Sequence, residues 1–324
     1  MTEARGEVYD LGYQHYEGPR EGRTRARKAL WVNGVRTALG LGRGSRSKIL
    51  PLLLFIAAMV PAVVLALVAS QVDEVLGPGV EVDIPSHADY YRIVSIILLI
   101  FSAIIAPELL CPDRRDGVLN LYLVRPLTPT DYVGARWLAF LFITLAIVYS
   151  GQVVLLIGFT LAAAEPLEYL RDNWLEIPRF LVVGIVVALF TTTLPMAVAA
   201  FTTRRAYAAA FVIGIYFISA AVTGVLTECQ PEHGERSRPP DGGAVVRPIG
   251  ECKPLAGENA KWTALIDIGQ VPLHLNDIIF ADESDAQVSK LVGELPSIVP
   301  IAWYLLLTAG PGFALLWRYR RIRI

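Results

Sequence analysis

The sequence is poor in the residues that carry most protein chemistry. Three cysteines in 324 residues are too few for a disulfide scaffold, and their spacing fits no common zinc or haem pattern. Four histidines (His15, His87, His233 and His274) fall outside the apolar runs, and no HExxH pair is present to hold a catalytic metal. Gly40 to Ser47 is rich in glycine but lacks the GK[ST] ending that sets a lysine and a hydroxyl on phosphate and magnesium, which excludes that kind of nucleotide site. Charge is scarce as well. Only 18% of residues are Asp, Glu, Lys or Arg while 54% are hydrophobic, too apolar a balance for a soluble domain of this length. The apolar residues gather in blocks of about twenty, where a soluble core would spread them at helix or strand spacing. A second solvent is required, and it is lipid.

What the sequence does have is six long runs nearly free of charge. A helix that crosses the hydrocarbon needs roughly 20 apolar residues, because lipid offers the backbone no hydrogen-bond partner. Ile49 to Ser70 is the first such run and Tyr91 to Leu110 the second, opened by Tyr90 and Tyr91 as expected interfacial aromatics. Trp137 to Ala164, Phe180 to Thr203, Ala206 to Thr227 and Leu295 to Trp317 supply the others. Met1 to Lys48 is polar and carries ten Lys or Arg with no short apolar run ending in small residues, so the first anchor is expected to be retained.

Six spans put both termini on one side. With the termini inside, the short cytoplasmic segments hold 20 Lys and Arg against three (Arg92, Arg171 and Arg179) outside, which predicts cytoplasmic ends in a multi-pass protein of the cell membrane. The expected organisation is a cytoplasmic arm over residues 1–48, spans one to five over 49–227 with a cytoplasmic loop at 111–136, an external cap over 228–296, and the last span with a basic tail over 297–324. Arg23 to Lys48 interleaves basic residues with Leu30, Trp31, Val35, Ala38 and Leu39 on one side of a helix. It reads as an in-plane helix or as a basic juxtamembrane arm, since several glycines dilute the pattern. Val8 to Arg23 reads as a docking tail or as disorder. In the external stretch, Glu228 to Glu258 is expected to be irregular, with order returning over Trp262 to Ile268, Val271 to Phe280 and Asp285 to Leu295. Cys229 and Cys252 fall on the predicted outer side, where disulfides persist, and stand either as a bridge or as two free thiols.

The spans supply mainly hydroxyls, which more often bond backbone or neighbouring helices than act as catalysts. Glu108 is the exception. It reads as an interfacial carboxylate that ends a span, or as a residue of the substrate path or its coupling. The loop between the second and third spans is more informative. Asp116-Gly117 predicts a turn, Val118 to Val124 a short apolar helix or extended piece, Pro126 a break, and Thr130 or Asp131 a helix N-cap. Leu119, Leu121 and Leu123 are costly to leave in water, so they are expected to bury against helix ends or a partner.

At this loop the chain resembles the type-two ABC exporter permeases. Their corresponding loop runs Glu-x-x-x-Gly-Thr-Leu-Glu-x-Leu-Leu-x-x-Pro-hydrophobic, then an acidic and a basic residue before the next span. Gly117, Leu119, Leu123, Pro126, Leu127, Asp131 and Arg136 fall at the matching spacing, while Val118 and Asn120 stand where the family often has Thr and Glu. The resemblance extends to the basic arm, the six spans and the larger external segment. It implies an all-α integral membrane protein acting as a permease, without catalytic residues of its own. Its partners would be two cytoplasmic ATPase subunits that bind ATP and Mg, and a second copy of itself or a sister permease. Gly117, Leu119, Leu123, Pro126, Asp131 and Arg136 would form the ATPase contact. No nucleic acid, resident metal or cofactor is expected. Two other classes stay open: a membrane anchor or assembly protein that uses the external segment, and a gradient-driven carrier, which the nearly ionisable-free spans disfavour.

Overall fold

The computed structural model describes residues 18, 21–42, 46–76, 86–123, 127–163, 165–230, 253–281 and 286–321. The chain is an all-α integral membrane protein whose elements run α1 (Gly22–Ala38), α2 (Arg46–Leu76), α3 (His87–Arg115), α4 (Leu119–Leu123), α5 (Pro129–Ala162), α6 (Pro166–Asp172), α7 (Glu176–Ala199), α8 (Arg205–Thr227), α9 (Ala260–Thr263), α10 (Val271–Phe280), α11 (Gln287–Gly293) and α12 (Ile298–Arg320). The six long and apolar enough to cross a membrane are α2, α3, α5, α7, α8 and α12. A two-residue antiparallel pair, β1 (Cys229–Gln230) with β2 (Lys253–Pro254), flanks residues 231–252.

Each predicted run became one of these helices, but several begin or end beyond the apolar stretch. Helix α5 starts eight residues before Trp137 because Thr128 caps it and Pro129 occupies its first turn, where a missing N–H costs nothing. The predicted cap at Thr130 or Asp131 is thereby corrected: Asp131 is the third helical residue and completes a capping box with Thr128. Helix α3 opens on a similar box, Ser86 with Asp89, and runs through Pro107 and Pro112 to Arg115.

Helices α3 and α7 are the most enclosed spans, and α12, α2 and α8 the least. Close approach of α2 to α5 comes from small residues. Leu54, Ala58, Ala62 and Leu65 form the buried stripe of α2, and a Cβ at Gly158 of α5 would lie 2.3 Å from the Ala66 methyl. In lipid such small-residue faces give dispersion contact between backbones that large side chains would hold apart. The opposite side of α2 (Leu53, Ile56, Val60, Leu67) is exposed, as expected of a surface wetted by acyl chains.

Three sequence expectations change here. Tyr90 and Tyr91, expected as interfacial aromatics, point into the protein: both are fully buried, with Tyr90 Oη donating to the Ala58 carbonyl at 3.4 Å and Tyr91 Oη to the Phe180 carbonyl. They fit because Gly151 and Gly184 leave room; a Cβ at Gly151 would sit 1.9 Å from the Tyr90 hydroxyl. In α1 the glycines that dilute the apolar pattern include one that seats the helix, since a Cβ at Gly34 would lie 2.7 Å from the Ala139 Cβ of α5. Leu30, Gly34 and Ala38 face inward, and Trp31 meets Phe142 edge-on at 5.4 Å. Finally, one helix of the expected cap packs into the bundle. Helix α10 packs against α3, α7 and α12, burying Val271, Leu273, Leu275 and Phe280. Ten residues at about 1.5 Å each are too short to span the bilayer, and suit a helix buried at one end of it.

Most of Val8 to Arg23, together with Cys252 and the Cys229 side chain, lies outside the described residues, while Cys111 is a buried free thiol.

Candidate functional site

The end of the bundle that carries α1, α4 and the last turn of α12 gathers most of the residues singled out in the sequence. Helix α3 stops at Asp116, and Gly117 turns the chain with φ +69°, a left-handed conformation that glycine adopts without Cβ strain. One turn of helix, α4, follows. Two of its leucines differ sharply: Leu119 is 5% exposed and joins the main apolar core, whereas Leu121 is 76% exposed. The Leu123 side chain and Pro126 lie outside the described residues. Leu127 is buried and leads into the Thr128 cap.

Both flanks of α4 are fixed by charged groups. Asp131 accepts from Arg23 Nε and Arg27 Nε at 2.7 Å each, and from the Thr128 backbone N–H at 3.0 Å. One carboxylate therefore holds the start of α1 to the start of α5. Charge-assisted, multidentate bonds of this kind fix orientation as well as distance. A second cluster lies behind it. Asp113, near the end of α3, accepts from Tyr132 Oη and from Arg136 Nη2, both at 2.7 Å. Arg136 is only 2% exposed, with its guanidinium carbon 5.7 Å from the centre of the Tyr132 ring. Tyr132 stacks on Tyr319 of α12 at 5.7 Å and approaches Tyr122 of α4 at 5.9 Å, so α3, α4, α5 and α12 meet around one ion pair.

Glu108 lies at the same end, paired with Arg205 at the start of α8. Next to it, Arg114 donates to the carbonyls of Ala200 and Thr202, and the Cys111 thiol faces the Thr202 carbonyl at 3.5 Å. These bonds fasten α3 to the turn between α7 and α8. On its outer side Phe201 and Tyr207 are exposed beside Arg204, Arg318 and Arg205. Asp116 at the α3 terminus is bonded to Arg115, which holds its carboxyl below the usual range.

Of the residues expected to touch an ATPase, the structure brings Gly117, Leu119, Asp131 and Arg136 together, but turns the last three inward onto this chain. The residue that faces out is Leu121. Sequence reasoning did not single out Asp113 or Phe201. The Asp113 signal was faint: Tyr132 and Arg136 are one helical turn apart on α5, and a polar pair on one face of a span needs a partner from another helix.

The arrangement is a stiff junction with an exposed apolar point and a basic rim. Comparison with curated proteins gave no match. The family described as ABC-2 family transporter protein matches residues 2–310, nearly the whole chain, including α1, α3, α4 and α5 of this junction. On the strength of that coverage, and of a six-span architecture with this loop, the chain belongs to the ABC-2 family of transporter proteins, the membrane permeases of ABC transporters.

Proposed function

We propose that the chain is the permease subunit of an ATP-driven exporter in the cell membrane, with both termini cytoplasmic. Separate cytoplasmic ATPase subunits, two per assembly, bind ATP and Mg, and this chain carries no nucleotide site. It works beside a second copy of itself or a sister permease. Closure of the ATPase pair pushes on α4, and the permease answers by shifting its spans, so that binding energy spent in one subunit changes access in another.

The observation that carries this reading is the contrast between Leu121 and its surroundings. A leucine 76% exposed on a single helical turn suits a contact point, and both flanks are tied to the bundle: Leu119 by burial, Asp131 by two arginines and Asp113 by Arg136 and Tyr132. A push on α4 would reach α1, α3, α5 and α12 with little lost to bending. In this reading Asp131 and Arg136 position the contact, while Leu121 makes it, with Phe201 and its neighbouring arginines as a second touching point.

The test is Leu121→Asp, with Leu119→Asp as the packing control. Full burial of a leucine is worth about 1.5–3 kcal/mol, so Leu121→Asp should weaken capture of the ATPase roughly tenfold to a hundredfold at normal membrane abundance. Leu119→Asp should lower abundance instead. Unchanged capture and unchanged coupling of hydrolysis to transport in abundant Leu121→Asp would overturn the assignment.

A further inference from the structure

At the end of the bundle opposite α4, the first turns of α12 and the segment formed by α9 with the 3-10 turn Ala264–Ile266 border a groove of about 520 Å³, within the range that holds small molecules. Leu265, Val299 and Trp303 lie at its base and belong to one apolar cluster with Ala264, Val292 and Leu295. Trp303 spends its indole N–H on the Leu265 carbonyl at 2.9 Å, which ties the two walls together below the groove. Trp262, Ile266, Ile298 and Leu306 form the rim, and all four are exposed.

None of the lining residues carries a charge, so an ion or a strongly polar solute would give up its water here and gain no partner. The neighbourhood of the groove decides among apolar occupants. Helix α12 crosses the membrane as one of its least enclosed spans, with Ile301, Leu305 and Leu306 exposed along it. The groove is therefore continuous with the surface that acyl chains wet. From Ile298, at the start of the span, to Leu306 the helix rises about 12 Å, which covers the head-group boundary and the upper part of the hydrocarbon. The second wall belongs to no span. Its Trp262 and Ile266 would leave large apolar side chains in water if the segment stood clear of the membrane, whereas an exposed tryptophan suits the interface itself.

We propose that this groove holds one acyl chain of a membrane phospholipid, clamped between α12 and residues 262–266, with the head group beside Trp262 and the tail running past Trp303 towards Leu306. Such a chain differs from those that wet the open faces of the spans, because it has protein on two sides. It also seats the segment from α9 to Ile266 at the membrane surface. The site is separate from the α4 junction; it needs α12 to span the membrane and does not depend on the transport reading.

The probe is a phosphatidylcholine with one dibrominated chain, titrated into the purified, lipid-depleted full chain in a steroid detergent, which has no alkyl chain to compete. Bromine quenches tryptophan on contact. Saturable loss of fluorescence is expected, and Trp262→Phe should remove part of it, which assigns the signal to this groove. Ala302→Phe, which fills the groove from α12, should weaken the apparent affinity at least tenfold. Ile266→Asp, which sets a charge on the exposed rim of the other wall, should do the same without touching the core. Elution profile and melting temperature establish that each variant is folded. Absence of saturable quenching in the wild type would overturn the proposal, and is the outcome expected if a second copy of the chain covers this face. Quenching that rises in proportion to added lipid and is unchanged in folded Ala302→Phe or Ile266→Asp would overturn it too, since that is contact with the open faces of the spans.

Discussion

The two ends of the bundle are closed by different physics. At the α4 end, directional polar bonds cross-link the helices: Asp131 joins α1 to α5, Asp113 joins α3 to α5, and Glu108 joins α3 to α8. At the α10 end two polar links, Arg92 of α3 to Asp277 of α10 and His87 of α3 to Gln152 of α5, stand beside closure by shape. A short apolar helix is packed among α3, α7 and α12, two tyrosines fill the hollows left by glycines, and a histidine is buried without a partner. Directional bonds resist rotation of one helix against another, whereas apolar packing can re-form in a second arrangement at modest cost. The first suits an end that receives a push, and the second suits an end that has to repack when the push arrives.

The sharpest way to break this comparison is to remove the charge at the centre of the polar end. Asp113→Leu leaves Arg136 buried without its counter-ion, and stranding a buried charge costs about 3–5 kcal/mol. Membrane abundance and melting temperature should fall steeply. Replacing both partners, Asp113→Leu with Arg136→Met, should recover much of the loss, because a buried pair can be exchanged for apolar groups of similar volume. A double variant as unstable as the single one would show that the pair is not the element holding this end.

The second break addresses the other end and uses pH. His274 has a pKa lowered from 6.5 to about 4 by burial, so folding favours its neutral form. The sign follows from linkage: a depressed folded-state pKa gives stability that is present above about 6.5 and lost as the pH falls through about 4. Full loss is on the order of 3 kcal/mol. The melting temperature of the wild type should drop more steeply over that window than that of His274→Gln. Comparing the two isolates the imidazole, since every other side chain is shared. Parallel curves would mean that His274 is protonated without penalty.

How far all this could be read in the sequence depends on the range of the interaction. Six spans were legible because twenty apolar residues in a row have one stable solvent, and the Asp116-Gly117 turn was legible because it is local. The ends of α3 and α5 were not, since capping by Thr128 and burial of Asp113 against Arg136 extend helix into polar sequence. Gly34 only diluted the apolar pattern of its helix and Gly151 carried no signal, and only the neighbouring helices, through Ala139 in one case and Tyr90 in the other, show them to be places of closest approach. Helix α10 was expected as part of an external cap; its hydrophobicity was visible, but not that other helices would leave a hole for it. At the site, the resemblance to type-two ABC exporter permeases brought Leu119, Asp131 and Arg136 to notice, yet a one-turn helix has too little periodicity to say that Leu121 rather than Leu119 faces out.

A third and smaller effect separates tight glycines from open ones. Gly151→Ala places a methyl within reach of the Tyr90 ring and should cost about 1–3 kcal/mol as overpacking, whereas Gly134 and Gly214 have open space where a Cβ would go. Gly151→Ala should therefore lower the melting temperature measurably, and Gly134→Ala should leave it unchanged. Partial rescue of Gly151→Ala by Tyr90→Leu would locate the clash; no rescue would place the damage elsewhere.

The smallest expected effect falls on the turn that feeds α4, and it distinguishes stability from transmission. A Cβ at Gly117 would have no other atom within 4 Å, so Gly117→Ala meets no neighbour and its cost is backbone strain alone. Holding an L-residue at φ +69° costs roughly 1–2 kcal/mol, which the chain can relieve by letting the α3–α4 turn relax. The bundle should then stay folded, with membrane abundance near that of the wild type, while α4 loses its fixed position over the Asp113 cluster. Transport per ATP hydrolysed should fall although ATPase capture persists. Gly117→Asn provides the control, because asparagine tolerates the left-handed region better than alanine and should retain more of the coupling. Equal coupling in all three would show that the position of α4 is set by Leu119 and Leu127 and not by the turn, and would move the origin of stiffness from the backbone to the packing beneath it.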